Sequence, residues 1–275
     1  MIKLQGSSNE NFVVLGLGRS GVASARALNA SGANVICWDD DPEKRSLAFS
    51  QDLRVIGSVS DFDWERVDRL IISPGVPHHF PSPHPIVSAA VSAGVLIDND
   101  VGLFFQSIAT ESWEKFSVRP RIVAVTGSNG KSTTASLLHH IFLKLGYKSQ
   151  LAGNIGRGVL DIDPPENNEL IVLELSSYQT EVARILSPDL AIFTNFSADH
   201  LERHGGIGGY LAAKRRLFTE GCPDYSIIGV DELAGLNLAQ QLSASIGDES
   251  IIRVSATKQI RRFDWSIFCD GSYLV

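Results

Sequence analysis

Cysteine is scarce in this chain: Cys37, Cys222 and Cys269 are the only three in 275 residues, far apart and odd in number. They form no C-x-x-C spacing, so neither a disulfide framework nor a zinc site is indicated, and they read as buried thiols in a reducing compartment. Long hydrophobic runs are missing too. No stretch of about 18 apolar residues occurs, and Met1-Ile2-Lys3-Leu4-Gln5-Gly6-Ser7-Ser8 has no apolar core of the signal-peptide kind. A cytoplasmic protein with no membrane partner is expected. Clusters of lysine and arginine are absent as well. With 24 basic against 31 acidic residues and a formal net charge of −7, there is no basic face to neutralise a nucleic-acid backbone, which excludes that partner. Any anionic ligand has to be held by local loops.

One such loop organises the chain. Ala124-Val125-Thr126-Gly127-Ser128-Asn129-Gly130-Lys131-Ser132-Thr133-Thr134 follows the apolar run Ile122 to Val125 and precedes an amphipathic run from Ala135 to Leu145. Strand, glycine loop, helix is the order a phosphate cradle requires. The glycines let backbone N–H groups turn toward one centre, the helix start adds unpaired donors, Lys131 adds charge, and the Ser132 hydroxyl reaches Mg²⁺. Gly127 to Thr133 therefore read as a nucleoside triphosphate site. The general pattern has a glycine six residues before the lysine; Val125 stands there, so the match is to the narrower T-G-x-N-G-K-S-T.

A second glycine turn lies near the N-terminus. Phe12 to Leu15 is a short apolar strand running into Gly16-Leu17-Gly18-Arg19-Ser20-Gly21, a complete G-x-G-x-x-G, then a helical pattern to Ala30. The next strand, Val35 to Trp38, ends on Asp39-Asp40-Asp41, and Asp39 lies 18 residues past Gly21, close to the dinucleotide fingerprint. Further strands are expected at Arg54 to Ile56, Arg69 to Ile72 and Val95 to Ile97, with helices between. This is an α/β, Rossmann-like half with a parallel sheet, whose ligands sit at the strand C-terminal ends. Ser73-Pro74-Gly75-Val76-Pro77 is such an end. His78, His79 and His84 follow in a proline-rich loop and read as solvated. The polar segment 111–120 is the expected linker, which makes 1–110 the first domain and 121–275 the second.

In the second half, Gln150 to Ala152 is a strand that leads into Gly153-Asn154-Ile155-Gly156, and Leu170 to Leu173 ends in Glu174-Leu175-Ser176-Ser177-Tyr178-Gln179. Glu174 stands where a P-loop fold puts its Mg²⁺-side carboxylate. Leu190 to Phe193 is followed by Thr194 to His204, in which His200 is a good ligand as neutral imidazole and Asp199 either orients it or meets the nucleotide. Lys214, early in the helix opened by Tyr210, reads by itself as part of a solvated basic face. Strands at Ile227 to Val230, Ile251 to Val254 and in the tail Phe263 to Val275 complete a P-loop-type α/β domain.

Together these residues resemble the ATP-dependent Mur ligases of bacterial peptidoglycan synthesis, and within that family its D-glutamate-adding branch. The matching pieces are Gly16 to Gly21, Ser73 to Val76, Thr126 to Thr133, Gly153 to Gly156, Glu174 to Gln179, Asp199 to His204 and Tyr210 to Lys214, in order along the whole chain. The resemblance implies a UDP-sugar site in place of a dinucleotide site. UDP-N-acetylmuramoyl-L-alanine would be held by Gly16, Leu17, Gly18, Arg19, Ser20, Asp39, Asp40, Ser73, Pro74 and Gly75, with Asn154, Ser176 and Gln179 reaching its muramoyl part. ATP would lie on Gly127, Ser128, Asn129, Gly130, Lys131, Ser132, Thr133 and Asp199. One Mg²⁺ would be held by Ser132 and Glu174, another by His200 and a carbamylated Lys214, since a lysine carbamate offers anionic oxygens where an ammonium cannot bind a cation. Lys131, Glu174, His200 and Lys214 are then the catalytic set, and D-glutamate the third substrate of a monomer.

Family members also carry a third domain that binds D-glutamate and closes on ATP. A chain ending on Tyr273-Leu274-Val275 is expected to lack it, and so to bind substrates without full turnover. The remaining readings are a nucleotide-binding piece without catalysis and an NAD-dependent oxidoreductase. A competition titration separates the last of these: UDP is expected to displace a fluorescent uridine nucleotide at concentrations where NADH does not, and preferential binding of NADH would overturn the UDP-sugar assignment.

Overall fold

Apolar strands alternating with helical segments build two parallel sheets, one in each half of the chain. The computed structural model describes residues 2, 4–58, 62–110, 113–257, 259–260, 266–270 and 273–274. In the first half the elements are β1 (Asn11–Leu15), α1 (Arg19–Ala30), β2 (Asn34–Trp38), α2 (Pro42–Phe49), β3 (Arg69–Ile72), α3 (Pro85–Ser92), β4 (Leu96–Asp98) and α4 (Asp100–Ala109). Their sheet has the order β2-β1-β3-β4, all parallel, with Phe12 opposite both Val35 and Arg69. The chain order reverses on either side of β1, and the crevice at that switch point opens beyond Leu15 and Ile72.

The second half contains β5 (Arg121–Thr126), α5 (Lys131–Lys144), β6 (Ser149–Gly153), β7 (Leu170–Glu174), α6 (Ser177–Val182), β8 (Leu190–Phe193), α7 (Ile207–Thr219), β9 (Tyr225–Gly229), α8 (Leu233–Ile246), β10 (Ile251–Ser255), β11 (Ser266–Asp270) and β12 (Tyr273–Leu274). These strands form one sheet in the order β12-β11-β10-β9-β8-β5-β7-β6, parallel except for the last hairpin pair, β11 with β12. β5 lies between β7 and β8, so the phosphate loop that follows it sits at this sheet's own switch point. The fold is the expected α/β pair, Rossmann-like then P-loop-type.

Three expectations change. Arg54 to Ile56 forms no strand; Val55 makes a single bridge to Cys37. The amphipathic run at Ala135 is helical from Lys131, but only Ala135 of that helix is fully buried, while Leu137, Ile141 and Leu143 remain exposed. Of the cysteines, Cys37 is buried, its thiol pushed up to about 12 by burial, but Cys222 and Cys269 are exposed. Residues 111–112 of the expected linker and 263–265, 271–272 and 275 of the expected tail lie outside the described residues.

The two halves share core. Phe104, Phe105 and Ile108 of α4 belong to the same buried cluster as Leu160, Ile162 and Leu173, and both α1 and α4 pack on the turn Val159–Asp161. Hydrogen bonds cross the same seam: Asn99 Nδ2 donates to the Gln179 carbonyl at 2.7 Å, and the Arg184 N–H to Asp98 Oδ1 at 3.0 Å.

Tight packing of α1 on the first sheet depends on Gly21. A Cβ there would lie 1.8 Å from the Gly16 carbonyl oxygen and 2.9 Å from Ser73 Oγ, both of them parts of the crevice. Gly21→Ala is expected to lower stability by about 1–3 kcal/mol, the usual cost of overpacking, read as a reduced urea midpoint. An unchanged midpoint would show that α1 can shift without loss.

Candidate active site

The crevice of the first sheet is a cavity of about 420 Å³ lined by the glycine turn, Asp39, Asp40, Lys44, the Ser73 to Pro77 loop and His84. Ser73 Oγ donates to the Gly16 carbonyl at 2.7 Å and ties the two loops together. Gly18 is the N-cap of α1 and makes no side-chain cap, so the first N–H groups of that helix are left for a ligand anion. Asp39 does not point outward: its Oδ2 accepts the Leu17 N–H at 2.6 Å and its Oδ1 the Asp41 N–H at 2.9 Å. A dinucleotide enzyme leaves this carboxylate to the ribose hydroxyls, so its engagement with the backbone weighs against the oxidoreductase reading.

Asp40 is the acid exposed at the crevice. The Trp38 indole N–H donates to its Oδ1 at 3.0 Å, and His84 Nε2 lies 2.9 Å from its Oδ2. The His84 Nδ1 accepts the Ile86 N–H at 3.1 Å as the N-cap of α3, which puts the imidazole proton on Nε2, facing Asp40. That hydrogen bond holds the Asp40 carboxyl below its ordinary range. His84 is therefore not a solvated loop histidine but a wall of the crevice; the signal available in the sequence was its position directly before the helix-starting Pro85.

In the second half, β5 runs into Gly127, whose φ of +137° excludes other residues and whose Cβ, if present, would lie 2.0 Å from Thr194 Oγ1. The phosphate loop is cinched from β8. Thr194 Oγ1 donates to the Asn129 carbonyl at 2.7 Å, the Asn129 N–H to Asn195 Oδ1 at 2.9 Å, and Ser128 Oγ to the Ser197 carbonyl at 2.9 Å. Thr194, Asn195 and Ser197 were visible in the sequence only as polar residues after a strand. Lys131 Nζ donates back to the Ser128 carbonyl at 2.8 Å, and Thr133 lies exposed on the first turn of α5.

Glu174 ends β7 with only 1% of its surface exposed. Ser132 Oγ donates to its Oε2 at 2.8 Å and Asn154 Nδ2 to its Oε1 at 3.2 Å. Both donors are neutral, so no partner in this node compensates the charge. A buried carboxylate beside a hydroxyl oxygen suits a hard divalent cation that keeps water and phosphate oxygens as its other ligands, as Mg²⁺ does. No group of three or more His, Cys, Asp or Glu ready to hold a metal occurs among the described residues.

Lys214 is not on a solvated face: it is 1% exposed, its Nζ donates to the Gly127 carbonyl at 2.6 Å and lies 4.5 Å from the centre of the Tyr210 ring. Burial, reinforced by Lys131, pushes its amine down to about 7. His200, in left-handed conformation with φ 51°, is half-exposed beside Asp199 at 3.3 Å and Tyr178 at 5.3 Å between ring centres. Ser176 and Gln179 close on each other as the capping box of α6, Gln179 Oε1 accepting the Ser176 N–H at 3.1 Å. Two arginines join the site loops of the halves. Arg19 donates to the carbonyls of Gly156 and Asn154 at 2.9 and 3.0 Å, and Arg203 to those of Phe80 and Val76 at 2.9 and 3.0 Å.

Fold and site define an α/β protein of two parallel-sheet halves, the second with a glycine loop between β5 and α5. Residues 125–269 match the model of the Mur ligase middle domain and residues 10–98 that of the Mur ligase MurD-like N-terminal domain. The chain belongs to the Mur ligase family. It is 55% identical over 274 residues to a UDP-N-acetylmuramoylalanine–D-glutamate ligase of Cereibacter sphaeroides, and 55% identical over 279 residues to one of Ruegeria pomeroyi. Each match covers all of this chain and 59% of the relative, so the chain spans little more than half the length of the curated relatives it matches. A solved UDP-N-acetylmuramate-alanine ligase from Thermotoga maritima is a distant likeness: 19% identity, TM-score 0.46, over 94% of this chain and 54% of that one.

The depressed Lys214 amine links stability to pH. Its value falls from 10.5 to about 7 on folding, so between those limits the unfolded chain binds more protons and stability rises with pH. The penalty is absent above about 10.5, grows as pH falls, and is complete below about 7. Lys214→Met is expected to remove this slope, so that denaturant midpoints of wild type and variant converge from pH 7 toward pH 9. Parallel profiles would mean that Lys214 is charged in the fold.

Proposed function

We propose that this chain is the substrate- and ATP-binding part of an amide-forming ligase of peptidoglycan synthesis, one that joins D-glutamate to UDP-N-acetylmuramoyl-L-alanine. The observation that carries this reading is the Ser132–Glu174 pair at the phosphate loop, tied through Asn154 and Arg19 to a second nucleotide crevice on the first sheet. Two nucleotide sites facing one seam suit a reaction in which ATP activates a nucleotide-linked acid.

In that reading the crevice at Gly16 to Ser20 and Ser73 to Gly75 takes the UDP end, with the uncapped start of α1 on the diphosphate and Asp40 at the nucleoside end. The muramoyl part runs toward Asn154, Ser176 and Gln179. Gly127 to Thr133 cradle the ATP phosphates, Lys131 turns from the Ser128 carbonyl to the phosphate oxygens, and Asp199 meets the nucleotide. Mg²⁺ would be held by Ser132 and Glu174, where it supplies positive charge to the phosphates. The substrate carboxylate then attacks the γ-phosphorus, ADP leaves, and the D-glutamate amine displaces phosphate from the resulting acyl phosphate. Positioning and electrostatics carry such a transfer.

Lys214 is proposed as a carbamate that, with His200, holds a second Mg²⁺. Its support is the amine at about 7, since the neutral form is the one that adds carbon dioxide. The expected setting is the cytoplasm, where both nucleotides are made; the described residues contain no helix long and apolar enough to cross a membrane.

Lys131→Ala tests the phosphate loop. Lys131 is only half-buried and its loss opens no cavity, so the variant is expected to keep its fold by circular dichroism and to lose detectable MgATP binding by calorimetry. A folded variant with wild-type MgATP affinity would overturn the proposal.

A further inference from the structure

Arg19 has no part in the phosphate loop, yet hydrogen bonds lead from it into the loop's metal side. It is the first residue of α1, on the glycine turn of the first half, and its guanidinium crosses the seam to the second half. Nη1 donates to the Gly156 carbonyl at 2.9 Å and Nη2 to the Asn154 carbonyl at 3.0 Å. These carbonyls bracket the short loop after β6. The same Asn154 is joined to Glu174 twice. Its N–H donates to the Glu174 carbonyl at 2.9 Å, and its side-chain amide to Glu174 Oε1 at 3.2 Å. Glu174 Oε2 in turn accepts from Ser132 at 2.8 Å.

We infer that Arg19 is a positioning residue for the cation-side carboxylate: by clamping the Asn154 loop from the other domain, it fixes the amide that orients Glu174 toward Ser132. The inference rests on the reading of Ser132 and Glu174 as the Mg²⁺ side of a nucleotide site. The physical reason is conformational. Gly153 and Gly156 both have positive φ, at +112° and +65°, and flank Asn154; glycines leave a backbone free unless something outside the loop holds it. Two parallel N–H donors from one planar guanidinium are a rigid clamp of that kind. Two of the five guanidinium N–H groups make these bonds. Arg19 thus lines the crevice of one domain and sets the metal-side geometry of the other.

The test is the Mg²⁺ dependence of binding of a non-hydrolysable ATP analogue to the whole chain, with affinity also measured in EDTA. Wild type is expected to bind more tightly as Mg²⁺ is added. Arg19→Ala is expected to raise the Mg²⁺ midpoint about tenfold, the low end of the loss caused by removing a group behind a metal ligand, and to leave the affinity in EDTA unchanged. Arg19→Lys is expected to restore part of the shift, because one ammonium can hold one of the two carbonyls. Asn154→Ala should shift the midpoint at least as far, and the double variant no farther than Asn154→Ala alone, since both act along one path. Arg19→Met, which keeps the apolar stem, replaces the alanine variant if that does not fold. A wild-type midpoint in a folded Arg19 variant, or shifts that add in the double variant, would overturn the inference with the metal reading intact. Wild-type binding indifferent to Mg²⁺ would instead overturn the metal reading, and the inference with it.

Discussion

A carboxylate taken out of water has to be met by donors, and the buried Glu174 is the constraint around which this molecule is arranged. It ends β7, next to β5, so the strand that supplies the acid is hydrogen-bonded to the strand that supplies the phosphate loop. Ser132 and Asn154 satisfy its oxygens without neutralising it. A buried carboxylate held in this way increases what a cation gains by binding beside it. Neutral hydrogen bonds therefore hold the geometry while the charge remains available.

The loops on either side are held by the opposite strategy, backbone carbonyls gripped by side chains from elsewhere. Thr194 and Asn195 fasten the phosphate loop from β8, while Arg19 and Arg203 fasten loops of one half from the other. Lys214 does the same from below, at the cost of burying an amine. With a common hydrophobic cluster behind these contacts, the crevice and the phosphate loop are packed on one core. In these contacts the glycine-rich loops are held through their carbonyls.

Much of this was legible in the sequence because it is local. Four-residue apolar runs such as Leu170 to Leu173 and Leu190 to Phe193 are buried strands of a parallel sheet, and the strand-loop-helix order around Gly127, Gly130 and Lys131 is the one the glycine-lysine motif prescribes. Each motif carries its own backbone requirement, so composition and order sufficed for the α/β plan of two parallel-sheet halves. Only the tertiary structure decided what side chains far apart in sequence do to one another. Nothing near Asp39 tells that it turns inward onto Leu17 while Asp40 faces the crevice, because that choice depends on His84, 44 residues away. Nor does the helical pattern around Lys214 reveal burial, which is set by the packing of α7 beneath Gly127. Val55 and the exposed cysteines were misread for the same reason: whether a short apolar or thiol-bearing stretch is covered depends on which neighbour the chain brings back to it, and that is a property of the assembled layers.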